Sequence, residues 1–418
     1  MDIKITKFNP NGKVDVPSSK SYAHRALIAA FILNKKTIIE INQISDDIKT
    51  TLNCLIKLGG NFIMEKNKII FSSCDACPRE VILDANESGS TLRFLLPLSA
   101  FLCDKVVFMG NERLFKRPLT AYLEYFDKHN VSYCLESNKI TVYNKIPVDD
   151  LIIEDNVSSQ FITGWLFLLA ITQKQCRVSY PKNLGSKEYI NMTLEILNEF
   201  GIKFQKQNES IIFKTIEFNN VVYNVEKDWS QAAFFLVLGA VNGNVIIEGL
   251  NMKSRQGDKK IIDALIAAGA DIVIEENKII VNSNPLKGFE FNIEECIDLG
   301  PIIFVLAAFC DGQTIIRGYQ RLEYKESKRA TFMVEELRKC GVDIIKNENE
   351  IIINGKNNYI TNNEFDSHYD HRIAMALSVF ASLNEGVSII KNSECVNKSY
   401  PSFYEHLFSL NTKTKTNI

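Results

Sequence analysis

The chain has little of what marks several large classes of protein. Its formal net charge is only −2, so it offers no overall basic surface for nucleic acid. No apolar run reaches the length of a membrane span, and the N-terminus lacks a basic segment followed by an apolar signal core. We therefore expect a cytoplasmic protein that binds neither nucleic acid nor membranes. Any site for an anion must arise from local clustering of Lys and Arg.

Cysteine usage also lacks the pattern of a disulfide framework. Ten cysteines are scattered along the chain, most of them in apolar surroundings, which favours reduced thiols in the core. Cys74 and Cys77 have the spacing of redox and metal sites, but no second pair and no nearby histidine completes a zinc site. The sequence therefore favours a structural role for this pair.

What the chain does contain is an internal repeat. With 418 residues, 46% of them hydrophobic, it is long enough for about two to three globular domains. Five apolar helical runs end at Gly59, Asn130, Gly201, Gly269 and Gly341, so the steps are 71, 71, 68 and 72 residues. Each break is typical of a helix C-cap and is followed by two strand-like stretches. With a last helix near the chain end, this predicts six α/β modules of about 70 residues, grouped three and three into two similar domains.

Several segments place hydroxyl, amide and cationic side chains where an apolar helix begins. Ser21 and Arg25 are four residues apart, so on a helix they share a face and could hold one anion. Gly89 would let a ligand approach free backbone N–H groups. Further segments of this kind are Lys116-Arg117-Pro118, Ser158-Ser159-Gln160 and Gly185-Ser186-Lys187. They suit a phosphate or sugar-like ligand, although helix caps with surface charges would look similar.

The second half of the chain adds acids to this pattern. Asp298 precedes an apolar helix, where a carboxylate is either a cap or a partly desolvated base. Segment 324–329 packs three cations around Glu326, as a surface salt-bridge helix also would. Asp370-His371-Arg372 stands directly before another apolar run, which predicts a helix N-terminus with an anion site. A capping Asp with a solvated Arg and a packed His is the alternative.

Taken together and in this order, these segments resemble the 5-enolpyruvylshikimate-3-phosphate synthases (3-phosphoshikimate 1-carboxyvinyltransferases). The resemblance covers nearly the whole chain and includes Gln256-Gly257-Asp258 and Lys398-Ser399-Tyr400-Pro401. It implies the enolpyruvyl transferase fold, an inside-out α/β barrel with two similar domains, each of three βαβαββ units, and an active site in the interdomain cleft. The first strand would pair with the C-terminal domain. The expected domains are therefore residues 1–13 with 228–418, and residues 14–227.

The resemblance also implies which residues hold each substrate. Two anionic substrates in one cleft require Arg and Lys side chains to converge there. The residues implied for shikimate-3-phosphate are Lys20, Ser21, Arg25, Ser158, Ser159, Gln160, Ser186, Asp298, Arg321 and Lys325. Those implied for phosphoenolpyruvate are Gly89, Arg117, Arg329, Arg372 and Lys398, with Lys20 touching both substrates.

The implied reaction is an addition followed by an elimination. The ring 5-hydroxyl attacks C2 of the enol while the methylene carbon is protonated, and phosphate then leaves from the tetrahedral ketal. This needs a base near the hydroxyl and an acid near the methylene. On the family pattern Asp298 is the base, Glu326 is the acid and Lys20 is a further catalytic residue, while His371 packs and orients its neighbours. No metal or organic cofactor is needed, since the enol is already activated, and we expect a monomer.

Two other functions stay open at this point. UDP-N-acetylglucosamine enolpyruvyl transferase has the same fold and enol donor, but it carries a reactive Cys in the loop before its Arg-Pro. This chain has no Cys in the corresponding segment 111–117, and it has Lys20-Ser21 where that relative is similar to Lys-Asn. A non-catalytic anion-binding paralogue is the second alternative. Asp298 and Glu326 argue against it, because a scaffold needs no acid and base in one cleft.

Overall fold

A computed structural model describes residues 1–153, 158–182, 184–217 and 221–411. The chain divides into two compact units, which we call the split unit (1–17 together with the chain from residue 226) and the continuous unit (18–225). The boundaries expected from the sequence differ from these by four residues at the first crossing and two at the second. Hydrogen bonds between segments distant in the chain explain the difference. The Asp228 N–H donates to the Pro17 carbonyl, and the Val225 N–H donates to the Glu40 carbonyl.

The α-helices are numbered in chain order. They are α1 (Lys20–Leu33), α2 (Asp46–Lys57), α3 (Gly89–Leu102), α4 (Glu112–Phe115), α5 (Thr120–Lys128), α6 (Ser159–Thr172), α7 (Glu188–Glu199), α8 (Trp229–Asn242), α9 (Ile261–Ala267), α10 (Gly300–Ala308), α11 (Arg329–Arg338), α12 (His371–Leu383) and α13 (Phe403–Ser409). Short 3-10 helices span Gly257–Lys260, Glu294–Leu299, Gln320–Tyr324 and Ser393–Lys398.

The β-strands are short and numbered in the same way. They are β1 (Ile3–Thr6), β2 (Asn11–Val14), β3 (Thr37–Glu40), β4 (Gly60–Glu65), β5 (Lys68–Cys74), β6 (Glu80–Asp84), β7 (Lys105–Met109), β8 (Tyr133–Leu135), β9 (Lys139–Val142), β10 (Leu151–Ile152), β11 (Arg177–Ser179), β12 (Ile202–Gln207), β13 (Ser210–Ile216), β14 (Val221–Asn224), β15 (Asn244–Glu248), β16 (Asp271–Ile274), β17 (Lys278–Asn282), β18 (Glu290–Asn292), β19 (Gly312–Arg317), β20 (Asp343–Lys346), β21 (Glu350–Gly355), β22 (Glu364–Asp366) and β23 (Val387–Lys391).

Each unit contains three small sheets with one repeated topology. In the continuous unit the strand orders are β14-β3-β5-β4, β6-β7-β9-β8 and β10-β11-β13-β12. In the split unit they are β2-β15-β17-β16, β18-β19-β21-β20 and β1-β23-β22. In every four-stranded sheet the first pair is parallel and the other pairs are antiparallel.

The chain crosses between the units twice, and strand pairing records both crossings. Strand β1 pairs antiparallel with β23, with Ile3 opposite Ile390, and β2 pairs parallel with β15. Strand β14 returns to pair parallel with β3. The expectation that the first strand pairs with the C-terminal part of the chain is therefore confirmed.

The five helix breaks read from the sequence are confirmed. Gly59, Gly201, Gly269, Gly341 and Asn130 all have positive φ angles, between 53° and 100°. Glycine adopts this conformation at little cost, and asparagine tolerates it better than most residues. Two strands follow each break, so the six modules follow from C-cap chemistry repeated along the chain.

One helix of each module is buried on almost all sides. These inner helices are α1, α3 and α6 in the continuous unit and α8, α10 and α12 in the split unit. Their sequences are apolar all round rather than striped, which is typical of a helix enclosed by other elements. None of the helices in the described residues is both long enough and apolar enough to cross a membrane.

Candidate functional site

Polar residues gather where the inner helices begin. The N-caps in the continuous unit are Ser19, Ser88 and Ser158. In the split unit the caps of α8 and α12 are Asp228 and Asp370, and Asp298 lies two residues before α10. These six positions recur at steps of 69 to 72 residues, so the module repeat itself brings hydroxyls to one unit and carboxylates to the other.

Lys20, the first residue of α1, is held by an acid that sequence reasoning missed. Its Nζ lies 2.7 Å from Oδ2 of Asp47 in the first turn of α2, and both side chains are largely buried. The pair fixes the direction of the lysine at the helix N-terminus, where an anion is favoured. Asp47 was not predicted because nothing local in the sequence links it to Lys20, 27 residues earlier.

Arg25 is buried and already engaged by the protein. Its Nε donates to Oγ1 of Thr193 at 2.8 Å, and its two terminal nitrogens donate to the carbonyls of Ser21 and Tyr189. The guanidinium also lies over the Phe94 ring, 5.0 Å from the centroid. Burial lowers its pKa to about 10. In this geometry Arg25 joins α1 to α7, and it shares no open face with Ser21.

Gly89 and Arg117 are in direct contact, as their predicted common role requires. A Cβ on Gly89 would lie 2.6 Å from NH1 of Arg117, so only glycine lets the guanidinium sit against the start of α3. Arg93 lies beside it and donates to Oε1 of Gln160 at 3.0 Å, while the Gln160 amide donates to Ser90. These contacts bring α3 and α6 together by their first turns.

The remaining predicted residues of the continuous unit lie at helix starts. Ser158 caps α6, its Oγ accepting from the Gln160 N–H, and Ser159 is the buried first residue of that helix. Ser186 is buried in the turn before α7 with a φ of +63°, a strained value for serine. Its carbonyl accepts from the N–H of Tyr189, whose own carbonyl accepts from Arg25.

In the split unit, Asp298 is the centre of a network of ion pairs. Its Oδ1 lies 2.9 Å from NH1 of Arg329 and 3.2 Å from Nζ of Lys325. Its Oδ2 lies 3.3 Å from NH2 of Arg372. The Asp298 side chain is 17% exposed, so one carboxylate reached by three cations still faces solvent.

Arg329 connects this carboxylate to two others. The guanidinium is 1% exposed and donates from Nε to Asp370 at 2.8 Å and from NH2 to Glu326 at 2.5 Å. Glu326 is 20% exposed and lies 3.9 Å from Nζ of Lys398. The structure therefore joins Asp298, Glu326 and four predicted cations, and adds Asp370 as the buried acid that orients Arg329.

The cations set the protonation of the network. Burial raises the pKa of Asp298, but Arg372, Lys325 and Arg329 outweigh it and hold that pKa well below its usual range. Burial lowers the pKa of Lys325 more than Asp298 raises it, and Arg321 lowers it further. Asp298 is accordingly a carboxylate at neutral pH, which is the form that accepts a proton.

Two other buried titratable residues, His371 and Asp258, lie near this network. His371 is the fully buried first residue of α12, in keeping with the packing role predicted for it. Asp258 is also buried and accepts a hydrogen bond from Ser230. Burial, and then the charge of Asp298, raise the pKa of Asp258 to about 6. In the sequence, Asp258 belongs to the Gln256-Gly257-Asp258 motif, but it is not among the predicted site residues.

Across residues 1–153, 158–182, 184–217 and 221–411, no three His, Cys, Asp or Glu side chains are arranged to hold a metal ion. The network in the split unit is instead built from carboxylates neutralised by Lys and Arg.

Comparison with known proteins agrees along the whole chain. A family model described as EPSP synthase (3-phosphoshikimate 1-carboxyvinyltransferase) matches residues 6–407. The curated 3-phosphoshikimate 1-carboxyvinyltransferase of Clostridium perfringens strain SM101 is 35% identical over 413 residues, covering 97% of this chain and 97% of its own. The enzyme of the same name from Clostridium kluyveri is 36% identical over 418 residues, covering 98% and 97%.

Solved structures share the fold. The chain is similar to EPSP synthase from Acinetobacter baumannii, with a TM-score of 0.80 at 23% identity over 98% of both chains. It is also similar to the enolpyruvyl transferase NikO from Streptomyces tendae, with a TM-score of 0.76 at 15% identity over 97% of this chain and 96% of the other. The predicted fold class is therefore confirmed.

Proposed function

Because the chain belongs to the EPSP synthase family, we propose that it transfers the enolpyruvyl group of phosphoenolpyruvate to the 5-hydroxyl of shikimate-3-phosphate and releases phosphate. The observation that carries this proposal is the Asp298 network. A partly exposed carboxylate and a second acid, Glu326, lie among four cations, and this is what proton transfer between two anionic substrates needs.

The continuous unit is proposed to hold shikimate-3-phosphate mainly through Lys20, Ser21, Ser158, Ser159, Gln160 and Ser186. Hydroxyl and amide groups at the starts of α6 and α7 suit the phosphate and ring hydroxyls, since helix N-termini favour negative charge. Arg25 is also proposed to hold shikimate-3-phosphate, and to position the residues around it. Its bonds to the Tyr189 carbonyl and Thr193 join α1 to the helix that follows Ser186.

Phosphoenolpyruvate is proposed to bind through Arg117 beside Gly89, and through Arg329, Arg372 and Lys398, with Lys20 between the two substrates. Arg372 is well suited to this role. Its guanidinium is held near Asp298, 3.3 Å from Oδ2 and 3.4 Å from the backbone oxygen, and a guanidinium can pair with a carboxylate or phosphate through two N–H groups at once. Arg329 is more tightly held and is proposed to fix Glu326 and Asp298.

In the proposed mechanism Asp298 takes the proton of the 5-hydroxyl while the hydroxyl oxygen bonds to C2 of phosphoenolpyruvate. Glu326 gives a proton to the methylene carbon in the same addition. In the elimination Glu326 takes a proton back from the methyl group as the C=C bond re-forms, the C2–O bond to phosphate breaks, and the proton held by Asp298 leaves with the phosphate. Lys325 and Arg321 are proposed to complete the shikimate-3-phosphate side of this site. The depressed pKa of Asp298 keeps the residue ionised before substrate arrives but also makes it a weak base, so its proposed role is supported by its partly exposed position among the cations.

The direct test is release of inorganic phosphate by the purified chain. We expect release only when shikimate-3-phosphate and phosphoenolpyruvate are both present. Replacing shikimate-3-phosphate with UDP-N-acetylglucosamine should stop it, and release with the uridine sugar instead would assign the chain to the other transferase. Binding of both ligands without release would identify a non-catalytic anion-binding paralogue.

A second test concerns Glu326. The variant Glu326→Gln should bind both substrates with nearly native affinity but lose turnover, because the amide cannot supply the proton. A fully active Glu326→Gln enzyme would remove Glu326 from the mechanism.

We also propose that the chain works as a cytoplasmic monomer. Both groups of residues assigned to the reaction are carried by one chain, so no second copy is required to supply a functional residue. Light scattering on the purified protein should give a mass near 47.5 kDa with and without substrates.

A further inference from the structure

Two thiols in the continuous unit lie in contact, far along the sequence from each other and outside the proposed site. Sγ of Cys77 is 3.5 Å from Sγ of Cys103. All the cysteines in the described residues are free thiols, as the sequence predicts. The C-x-x-C partner of Cys77 has a different neighbour, because the thiol of Cys74 is directed to the carbonyl of Phe31 at 3.6 Å.

The backbone already holds the two cysteine-bearing segments together. Cys77 lies between β5 and β6, and Cys103 is the C-cap of α3, just before β7. The N–H groups of Asp104 and Lys105 both donate to the carbonyl of Arg79, and β6 and β7 then pair in parallel. A disulfide needs the sulfurs to approach to about 2.05 Å. The two sulfurs are already 3.5 Å apart, and the adjoining strands hold the two segments side by side.

The surroundings also give the two thiols different reactivity. Cys77 is half-buried, whereas Cys103 is buried. The hydrogen bond from Cys103, and more weakly the charge of Lys145, lower the pKa of Cys77 against the opposing effect of burial. The same contact and burial raise the pKa of Cys103. A half-buried, more acidic thiol beside a more protected partner is the arrangement of an attacking and a resolving cysteine.

We propose that Cys77 and Cys103 form a redox-active pair that closes to a disulfide when the protein meets a peroxide. The Cys77 thiolate attacks one peroxide oxygen, forming an S–O bond as the O–O bond breaks and hydroxide leaves. The Cys103 sulfur then attacks the sulfenic sulfur, so that the S–S bond forms, the S–O bond breaks and water carries away the thiol proton. Two thiols thereby lose two electrons, and the peroxide is reduced to water.

The test uses the full chain, reduced and then exposed to hydrogen peroxide under native conditions. We expect a loss of two of the ten thiols and a peptide linked through Cys77 and Cys103 in a non-reducing digest. Dithiothreitol should restore both thiols. In Cys77→Ser and Cys103→Ser this linked peptide should fall to background, while Cys134→Ser, which removes an exposed thiol, should leave its yield unchanged.

The variants also show whether loss of the linked peptide comes from misfolding rather than from the missing thiol. Circular dichroism of Cys103→Ser shows whether the buried substitution still folds, and Cys77→Ala provides a second variant at the less buried position. A Cys74–Cys77 link as the main product, a dimer linked through Cys134, or no loss of thiols would each overturn the proposal. None of these readouts depends on the catalytic activity proposed above.

Discussion

The two units build the same modules, yet they begin their inner helices differently. In the continuous unit the caps are serines, and the field of each helix N-terminus is left for a ligand. In the split unit the corresponding residues are aspartates, and Arg329 and Arg372 are held against two of them. One scaffold thus gives uncharged caps in one unit, which we propose to receive an anion, and carboxylates in the other, two of them paired with arginines.

We propose that this difference suits the continuous unit to anion binding and lets the split unit add proton transfer to its share of the binding. A hydroxyl cap satisfies the backbone N–H groups without cancelling the positive end of the helix. A carboxylate cap satisfies the same groups but cancels that field, and cations must then restore it. The arrangement in the split unit costs more desolvation, but it supplies carboxylates that can exchange protons.

The largest effect is expected from removing the acceptor in the split unit. Asp298→Asn should lower kcat by about 10²- to 10⁴-fold, the contribution typical of a general base. Affinity for shikimate-3-phosphate should change little, because the amide keeps a hydrogen-bonding oxygen. Steady-state phosphate release measures kcat, and calorimetric titration measures the affinity for shikimate-3-phosphate.

Asp271→Asn is the matched control, since Asp271 is an exposed residue of β16 in the same unit. If Asp298→Asn kept native turnover, Asp298 would not be the base. The proposed role of the split unit in proton transfer would then be wrong.

The loss of a buried charge should lower the free energy of unfolding more than the loss of an exposed charge. Arg329→Met removes a 1% exposed guanidinium and leaves Asp298, Glu326 and Asp370 without it. We expect the free energy of unfolding to fall by about 3 to 5 kcal/mol. Urea denaturation monitored by tryptophan fluorescence measures it.

Arg317→Met provides the control for that loss. Arg317 also pairs with two carboxylates, Glu290 and Glu350, but it is 46% exposed. Its removal should lower the free energy of unfolding far less than the loss of Arg329, because water screens an exposed ion pair. Equal losses for the two variants would show that burial is not what makes the Arg329 network sensitive.

Two buried groups, one in each unit, should contribute to the pH dependence of stability in opposite directions. In the continuous unit, burial lowers the pKa of His24 to about 3, so the unfolded chain takes up its proton first and stability falls as pH drops below about 6.5. In the split unit, burial raises the pKa of Asp258 to about 6, so the unfolded chain releases its proton first and stability falls as pH rises from about 4 to 6.

Two variants isolate these contributions. Between pH 4.5 and 7.5, His24→Asn should remove about 2 to 3 kcal/mol of acid sensitivity, and Asp258→Asn should remove about 2 kcal/mol of the opposite dependence. Asn can keep the contact of His24 with Thr51 and that of Asp258 with Ser230. The midpoints of urea unfolding at pH 4.5 and 7.5 measure both effects. If the two variants changed the pH dependence of stability in the same direction, the opposite contributions assigned to His24 and Asp258 would be wrong.

Local chemistry explains why so much of the fold could be predicted. A helix ending at glycine and two short strands are encoded within one module, so five breaks such as Gly201 and Gly341 could be read directly. The inner helices could also be recognised, because α10 and α8 are apolar on every side. The domain boundaries were less accessible, since they depend on hydrogen bonds between segments about 200 residues apart in the chain, such as Asp228 to Pro17.

Most of the side chains named from the sequence lie at helix starts, but their partners could not be named. Lys20 pairs with Asp47, 27 residues away, and Arg329 pairs with Asp370, 41 residues away. The first contact depends on how two helices of one module pack and the second on how neighbouring modules pack, and no local pattern encodes either. The roles of the predicted residues in substrate binding stay predictions.

The difference between serine and aspartate caps is tested most directly at Ser158. Asn and Asp are both good N-caps, so Ser158→Asn and Ser158→Asp should fold alike and differ only in charge at the start of α6. We predict that calorimetric titration with shikimate-3-phosphate gives a Kd about tenfold higher for Ser158→Asp than for Ser158→Asn, a difference of about 1.4 kcal/mol. Equal Kd values for the two variants would contradict the claim that neutral caps make the continuous unit an anion receptor.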